Sequence, residues 1–448
     1  MLKQLYDFLI KISTDKTKKI YIRGAGIQGQ NTLVDLIEMG ITVSAYIDND
    51  PEKQKNLCSG LPVYAPQWLY HQDSNDYYVL CAMMNPQYYA QARKEMMING
   101  LEENIHFIDI SFPLRTLRKT PLPARLIPKP STSREARIFN NAYRRKREAH
   151  VSMPKNFPAP VLPTSRINDG LASISLLNVW ITTACTLRCR DCLHMMPHYK
   201  STSHEDVEVI INNLRRITNV SHVHILEVLG GETFLHPNLL QILEGIATLS
   251  NIDQVQLITN ETILPDMEVI NFLKKNPKFL IRLSNYNGHT EFPSALDDNQ
   301  QGDFSKLDKL CHVHRLNHLR RTVDYSWTDF TDDFRHRGYS KDDVKHLFDI
   351  CGCATSGLTL YQGKLYICFR MISPYGLNII PLNEDSSRDY LVLADTSDED
   401  LRDSIVNFYY DTDYLTCCYY CDGSHYGSRK VIPNQQIKKQ VHREMETI

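Results

Sequence analysis

Apolar residues recur along this chain in two rhythms. Between residues 19 and 110, short apolar runs ("KIYIR", "TVSAYI", "DYYVLCA", "NIHFID") are separated by helical periodicity from Ile27 to Met39 and from Pro86 to Asn99. Runs of five to seven residues between helical stretches predict a parallel sheet with crossover helices, a small Rossmann-like domain over 1–110. Ahead of it, "MLKQLYDFLIKISTDKTKK" reads as an amphipathic helix. The alternation returns beyond Ile174. There "SLLNVWIT" is followed by a helix from Ser203, "HVHILEVL" by a helix from Pro237, "DQVQLIT" by a helix from Pro265, and "FLIRLS" by a helix from Ser305, before "RRTVDY". In the first of these helices Val207, Ile210, Ile211, Leu214 and Ile217 keep helical spacing, with Ser203 placed to cap it. Four strand and helix repeats and a fifth strand predict an α/β domain over 173–345. Its parallel sheet is expected to curve into a partial (β/α)6 barrel of the TIM-like kind, with its site at the strand C-terminal ends.

Between the two α/β stretches the composition changes. Nine of the 21 prolines lie between Pro113 and Pro163, and residues 111–150 carry eleven Lys or Arg against two Glu. Proline removes donors and favours extended chain, so 111–172 reads as a linker with one helix near Arg134 to His150. The run "RRKRE" within it reads as a solvated helix face or, alternatively, a phosphate-binding patch. Over the whole chain 50 Lys and Arg stand against 52 Asp and Glu, a net charge of −2, which advertises neither nucleic acid nor a charged membrane as partner. No stretch approaches the roughly 20 apolar residues a bilayer crossing needs, and the expected location is cytoplasmic. In that reducing compartment the 12 cysteines are expected as metal ligands or catalytic thiols where they cluster and as core where they do not.

They do cluster. "TTACTLRCRDCLHMMPHY" places Cys185, Cys189 and Cys192 in a C-x-x-x-C-x-x-C loop directly after the first strand of the second α/β stretch. Iron–sulfur clusters are held by thiolates, and a four-iron cubane has four corners. Three ligands on one loop therefore leave one iron open. Structural zinc, the rival, wants four protein ligands, and only His194 and His198 stand nearby as supplements. The loop resembles that of the radical S-adenosylmethionine (SAM) superfamily, in which such a triplet binds a 4Fe-4S cluster and SAM chelates the fourth iron. Three more strand ends carry the resemblance in the same order: "LGGETFLHPNL", "LITNE" and "IRLSNY". By that resemblance Gly230, Gly231 and Glu232 receive the methionyl amine of SAM, Thr259 and Asn260 match a T-N-G element, and Ser284 and Asn285 stand where ribose contacts are usual. Glycines let backbone approach a ligand, and a carboxylate satisfies an ammonium in a site poor in water. Two residues depart from the pattern: Asp191 precedes the third cysteine where an aromatic is common, and Glu261 replaces the usual glycine.

A second set follows. Cys353 and Cys368 flank Gly363, and Cys418 and Cys421 form a C-x-x-C, with Cys351 and Cys417 as competitors for the same places. This spacing resembles the opening hairpin of the superfamily's auxiliary-cluster domains, called SPASM, or twitch when shortened. It implies a C-terminal domain over 346–430 with one auxiliary 4Fe-4S cluster on Cys353, Cys368, Cys418 and Cys421, then a tail over 431–448. A structural zinc site fits the same four thiolates. Cys81 and Cys311 read as core. In the first domain "IYIRGAGIQGQ" sets Gly24, Gly26 and Gly29 between a strand and a helix, with Asp48 at the end of the next strand. Bare backbone at a helix N-terminus is an anion site and the aspartate can meet a ribose, so a nucleotide, a nucleotide-sugar, a nicotinamide cofactor or no ligand at all fits here.

The expected function is a radical SAM enzyme that cleaves SAM to a 5'-deoxyadenosyl radical and takes a hydrogen atom from a carbohydrate or nucleotide-linked small molecule, as in surface glycan biosynthesis. A small electron donor such as flavodoxin or ferredoxin would reduce it. Two alternatives stand beside this reading: a peptide-modifying maturase and a non-catalytic iron–sulfur or zinc sensor. Tyr286, Trp327 and Tyr366 are candidates for the substrate cavity.

Overall fold

A computed structural model describes residues 2–15, 17–38, 41–55, 57–83, 86–110, 133–141, 165–284, 286, 305–320, 327–328, 334–382, 384–425, 428, 430–431 and 436–437. They form two compact units, one of residues 1–133 with 425–430 and one of 134–424 with 431–448.

In the first unit five parallel strands, β1 (Lys19–Arg23), β2 (Ala45–Ile47), β3 (Val63–Tyr64), β4 (Tyr77–Cys81) and β5 (Phe107–Asp109), pair in the order β3-β2-β1-β4-β5. Every residue of β4 is buried, because helices cover both faces of a parallel sheet. The pattern switches direction between β1 and β4, the place where such sheets leave a crevice at their strand C-terminal ends. Helix Leu2–Thr14 puts Phe8, Leu9 and Ile12 into the core, as its amphipathic spacing predicts.

The second unit is built on a longer sheet. β6 (Ile167–Asn168) and β7 (Leu171–Ile174) lead into β8 (Leu177–Thr182), β9 (Ser221–Gly230), β10 (Ile252–Thr259), β11 (Phe279–Leu283) and β12 (His318–Arg320), which run parallel in that order. After the short β13 (Trp327–Thr328), β14 (Leu358–Tyr361) joins on the free side of β8 as a sixth parallel strand. β15 (Lys364–Tyr366) and β16 (Tyr390–Val392) continue the sheet antiparallel. The β14–β15 hairpin turns through Gln362 and Gly363, both at positive φ, as a tight two-residue turn demands. The cysteine-flanked hairpin thus shares one sheet with the strands that carry the first cysteine loop.

Side chains alternate across this sheet. From β8, Leu177, Val179 and Ile181 enter the large core under the helices, while Asn178, Trp180 and Thr182 face the other way. The helix Val207–Val220 buries Ile210, Ile211, Leu214 and Ile217 against the same core. Its cap is Asp206, whose carboxylate accepts the N–H groups of Glu208 and Val209, and not Ser203. Ser203 lies three residues upstream, where it exchanges hydrogen bonds with Thr183 beside the cysteine loop. The fifth strand is His318–Arg320, ahead of the expected "RRTVDY", most of which lies outside the described residues. The linker 111–132 and 142–164, with "RRKRE" and its solvated helix face or phosphate patch, lies outside them too. Residues 134–141 do form a helix, and they are packed into the second unit: Ile138 is in its core, and Asn141 Nδ2 donates to Thr355. Among the described residues no helix is long and apolar enough to cross a membrane.

Candidate active site

Where β8 ends at Thr182, the chain enters the loop of Cys185, Cys189 and Cys192. All three are free thiols. Burial pushes Cys185 up to about 12, Cys189 well above the ordinary thiol range, and Cys192 upward as well, with neighbouring thiols adding to the first two. Protons held this firmly are what a metal must displace, and thiolates are the form a cluster needs, so the loop fits an iron–sulfur ligand set that ionises only on ligation. Donors already face two of the sulfurs. The Leu187 N–H and Asn260 Nδ2 reach Cys185 Sγ at 3.4 and 3.6 Å, and Gln436 Nε2 reaches Cys189 Sγ at 3.2 Å. His194, the local zinc supplement, instead packs its ring against Trp180 and Phe369, at 4.7 and 6.1 Å between centroids. Asp191 is buried and paired with Arg190 at 2.9 Å.

The end of β9 lies against this loop. Gly231 donates its N–H to Thr182 O at 2.9 Å, and Glu232 to Ala184 O at 2.7 Å. A Cβ on Gly230 would stand 2.3 Å from Thr182 O and one on Gly231 2.2 Å from Ala184 O. Only glycine permits that approach, so the pair serves first to press Glu232 against the cysteine loop. Glu232 is 1% exposed. Its carboxylate accepts the N–H groups of Phe234 at 3.1 Å and Asn260 at 2.8 Å, and among the described residues no Lys, Arg or His pairs with it. Burial, partly offset by those hydrogen bonds, raises it to about 7. A carboxylate enclosed in this way is complementary to an incoming ammonium, which would restore its ordinary ionisation.

The third loop joins the two. Asn260 gives its backbone N–H to Glu232 and its side-chain amide to Cys185, so one residue spans the carboxylate and the cysteine sulfur. Thr259 Oγ1 accepts the Glu261 N–H at 3.0 Å. Glu261, in place of glycine, keeps the glycine-like backbone at φ 71° and is buried, its carboxylate 3.0 Å from Arg320. In the fourth loop Ser284 gives its hydroxyl to Thr259 O at 2.7 Å. Asn285 lies outside the described residues. Two apolar clusters flank the cysteine loop: Trp180, Leu229, Tyr361 and Tyr366 on one side, and Leu187, Tyr286 and Trp327 on the other. The three candidate cavity aromatics therefore all pack beside it.

Below that loop the inner face of the sheet is polar. Arg282 Nη1 donates to Glu227 at 2.6 Å, and Gln254, Gln256 and Asn178 share the same alternation. The signal for this layer in the sequence is slight: one polar residue inside each of "ILEVL" and "FLIRL", and Gln254 and Gln256 two apart in "QVQLIT". Gln436 was passed over as well, and no local signal marks it, because its contact with Arg188 and Cys189 bridges about 250 residues of sequence.

All six C-terminal cysteines, Cys351, Cys353, Cys368, Cys417, Cys418 and Cys421, line one small cavity with Arg370. The Cys353 thiol donates to Cys351 and holds it below the usual thiol range, while that pairing and then burial push Cys353 up. Cys421 Sγ accepts from Gly423 N–H at 3.1 Å and from buried Arg370, and Cys351 Sγ from Ser424 N–H at 3.3 Å. Cys81 and Cys311 are core residues, Cys311 raised to about 12 by burial.

In the first unit Gly24, Gly26 and Asp48 line a cavity of about 630 Å3. Gly29 has a packing role: a Cβ there would overlap Gly24 O at 1.7 Å. Asp48 Oδ2 accepts the Ala25 N–H at 2.7 Å and Lys53 Nζ at 3.1 Å, and Oδ1 accepts the Asp50 N–H at 2.9 Å. The carboxylate fixes the glycine turn.

No protein-family model matches the chain. Among curated proteins it is 31% identical over 104 residues to the GTP 3',8-cyclase of Desulforamulus reducens, covering 22% of this chain and 31% of the cyclase. It is 28% identical over 90 residues to the GTP 3',8-cyclase of Alkaliphilus metalliredigens, covering 20% and 28%. The chain thus spans less than a third of the length of these relatives. Among solved structures, Streptococcus suis SuiB bound to S-adenosylmethionine aligns with a TM-score of 0.31 at 12% identity, over 56% of this chain and 73% of SuiB.

Proposed function

We propose that this chain, which belongs to the radical SAM superfamily, holds a 4Fe-4S cluster on Cys185, Cys189 and Cys192 and binds SAM beside it to act on a carbohydrate or nucleotide-linked substrate. When bound and reduced, cluster and SAM supply a 5'-deoxyadenosyl radical that takes a hydrogen atom from the substrate. The chain's own residues do the rest. Glu232, driven toward neutrality by burial, accepts the methionyl ammonium. Asn260 sets Glu232 and Cys185 in fixed relation, Thr259 and Ser284 shape the third and fourth loops for the ribose side, and Asn285 is assigned beside them. Trp180, Tyr361 and Tyr366 exclude water from the inner face, where a radical must be sheltered from other donors. We read the six parallel strands as a partial barrel, with these loops at its mouth.

The observation that carries this reading is the Asn260 bridge, which ties a buried carboxylate, unpaired with any Lys, Arg or His among the described residues, to a cysteine sulfur. The nucleotide-linked class is supported by the name of the curated relatives, which act on GTP. The C-terminal thiols are assigned to one auxiliary 4Fe-4S cluster through Cys353, Cys368, Cys418 and Cys421. Glycines 24, 26 and 29 with Asp48 are assigned to a nucleotide or nucleotide-sugar site in a Rossmann-like domain.

Anaerobic reconstitution with iron and sulfide, followed by reductant and SAM, tests the function. 5'-Deoxyadenosine forms in the parent and falls to background in Cys189→Ala. Background levels in the parent with its cluster intact exclude the enzymatic reading. Sugar nucleotides added as substrate raise the yield; a rise with peptides alone selects the maturase alternative.

A further inference from the structure

The C-terminal end of β9 carries Glu232 and the site above; its N-terminal end carries a cluster of another kind. "HVH" sets His222 and His224 two residues apart on this strand, so both imidazoles stand on the face that Leu226 and Val228 take into the core. The parallel register with β10 brings Asp253 beside them, between the pairs Ile252–Val223 and Gln254–Ile225. Asp253 Oδ1 lies 2.7 Å from His222 Nε2, and Oδ2 lies 3.1 Å from His224 Nδ1. The two rings stack at 4.7 Å between centroids, 22° from parallel. One carboxylate thus faces a nitrogen of each imidazole, and the three residues offer ligand atoms within 4.8 Å of one another.

Two histidines and a carboxylate are a donor set that divalent transition ions take, with the remaining positions left to water. Donor atoms about 2.0–2.2 Å from one ion stand roughly 3–3.5 Å apart, so an ion fits where protons now lie between Asp253 and the rings, each neutral imidazole then carrying its proton on the far nitrogen. Burial is graded across the three side chains: His224 is 5% exposed, Asp253 21% and His222 34%. One ligand is anchored in the core while the other two reach solvent, which gives an ion its entry path. His224 Nε2 is buried without a partner among the described residues, whereas a core histidine kept for hydrogen bonding satisfies both nitrogens. The atom this residue offers is Nδ1, which faces the carboxylate. His224 also stands six residues before Gly230, about 20 Å along the strand, so the cluster has no part in the cysteine chemistry.

We propose that His222, His224 and Asp253 bind one divalent transition-metal ion of the zinc class, which ties β9 to β10 at the end of the sheet away from the cysteine loop. Equilibrium dialysis of the full chain against buffered free zinc, followed by elemental analysis, tests it on the parent, His222→Gln and Asp253→Asn. Thiols take zinc as well, but both variants leave every cysteine in place, so the difference between isotherms belongs to this cluster whether or not iron and sulfide have been loaded. The parent's isotherm contains one ion per chain whose half-saturation moves at least tenfold higher in each variant. Zinc also raises the thermal midpoint of the parent above that of the variants. Glutamine and asparagine keep the size and hydrogen-bonding capacity of the residues they replace; should Asp253→Asn fail to fold, His222→Gln, at the more exposed position, carries the comparison. Superimposable isotherms for parent and His222→Gln overturn the proposal and leave a carboxylate hydrogen-bonded to two imidazoles. 5'-Deoxyadenosine formation by the reconstituted protein persists in His222→Gln, so failure of this site and failure of the radical chemistry read out separately.

Discussion

Replacing Glu232 by glutamine should change how stability depends on pH, and the size of the change follows from the site. The carboxyl is raised from 4.5 to about 7, chiefly by burial. The folded chain therefore keeps the proton at pH values where the unfolded chain has lost it. Stability is full below about pH 4.5 and falls as the pH climbs to about 7 and beyond, where ionising the buried group costs about 3 kcal/mol, at about 1.4 kcal/mol per pH unit. Glutamine does not titrate. It does bring an amide N–H against one of the two backbone donors, Phe234 or Asn260, a fixed cost of about 1–3 kcal/mol. That cost is the same at every pH and cancels when the two proteins are compared across the range. The assay is urea unfolding of the cluster-free chain under anaerobic, reducing conditions from pH 5 to pH 8, followed by the fluorescence of tryptophan, Trp180 being fully buried in this sheet. Glu232→Gln should gain about 2–3 kcal/mol on the parent over that interval. A gap that stays constant would mean that the carboxylate is not held uncharged, and the ammonium pocket would lose its electrostatic basis.

Other consequences are as direct. Removing Gln436, as in Gln436→Leu, deletes the N–H donor to Cys189; the reduced cluster loses stabilisation on the order of 1 kcal/mol, so its midpoint potential by redox titration drops by roughly 40 mV. An unchanged potential would reduce the Gln436 contact to packing. Arg282→Met removes the cation that faces Glu227 in the sheet interior and should lower stability by about 3–5 kcal/mol in urea titration, while Glu227→Gln/Arg282→Met recovers most of the loss. At Glu261, φ 71° makes glycine better than alanine by about 1 kcal/mol, the reverse of their order in a helix. Equal stability of Glu261→Gly and Glu261→Ala would show that the third loop relaxes.

The strand and helix alternation was legible because parallel strands buried on both faces read as unbroken apolar runs, and β8 to β11 fall where those runs stand. The helix cap was misplaced because Ser203 and Asp206 are both good caps three residues apart, and the choice fell to tertiary contacts: Ser203 is drawn off to Thr183. The meeting of Cys185, Glu232 and Asn260 could be expected from three motifs at successive strand ends, since a parallel sheet brings those ends side by side. What joins them could not, because the Asn260 bridge depends on loop geometry. Gln436 and Arg370 act on sulfurs far away in sequence, 247 and 51 residues off, so no spacing rule reaches them.

One measurement bears on the centre of this account: the electron paramagnetic resonance spectrum of the reduced cluster on Cys185, Cys189 and Cys192, recorded with and without SAM in a variant whose C-terminal cysteines are replaced. An iron with no protein ligand should respond to SAM with a changed spectrum, and Glu232→Gln should require more SAM to produce it. A spectrum indifferent to SAM at saturating concentration would contradict the open position on which the proposed chemistry stands.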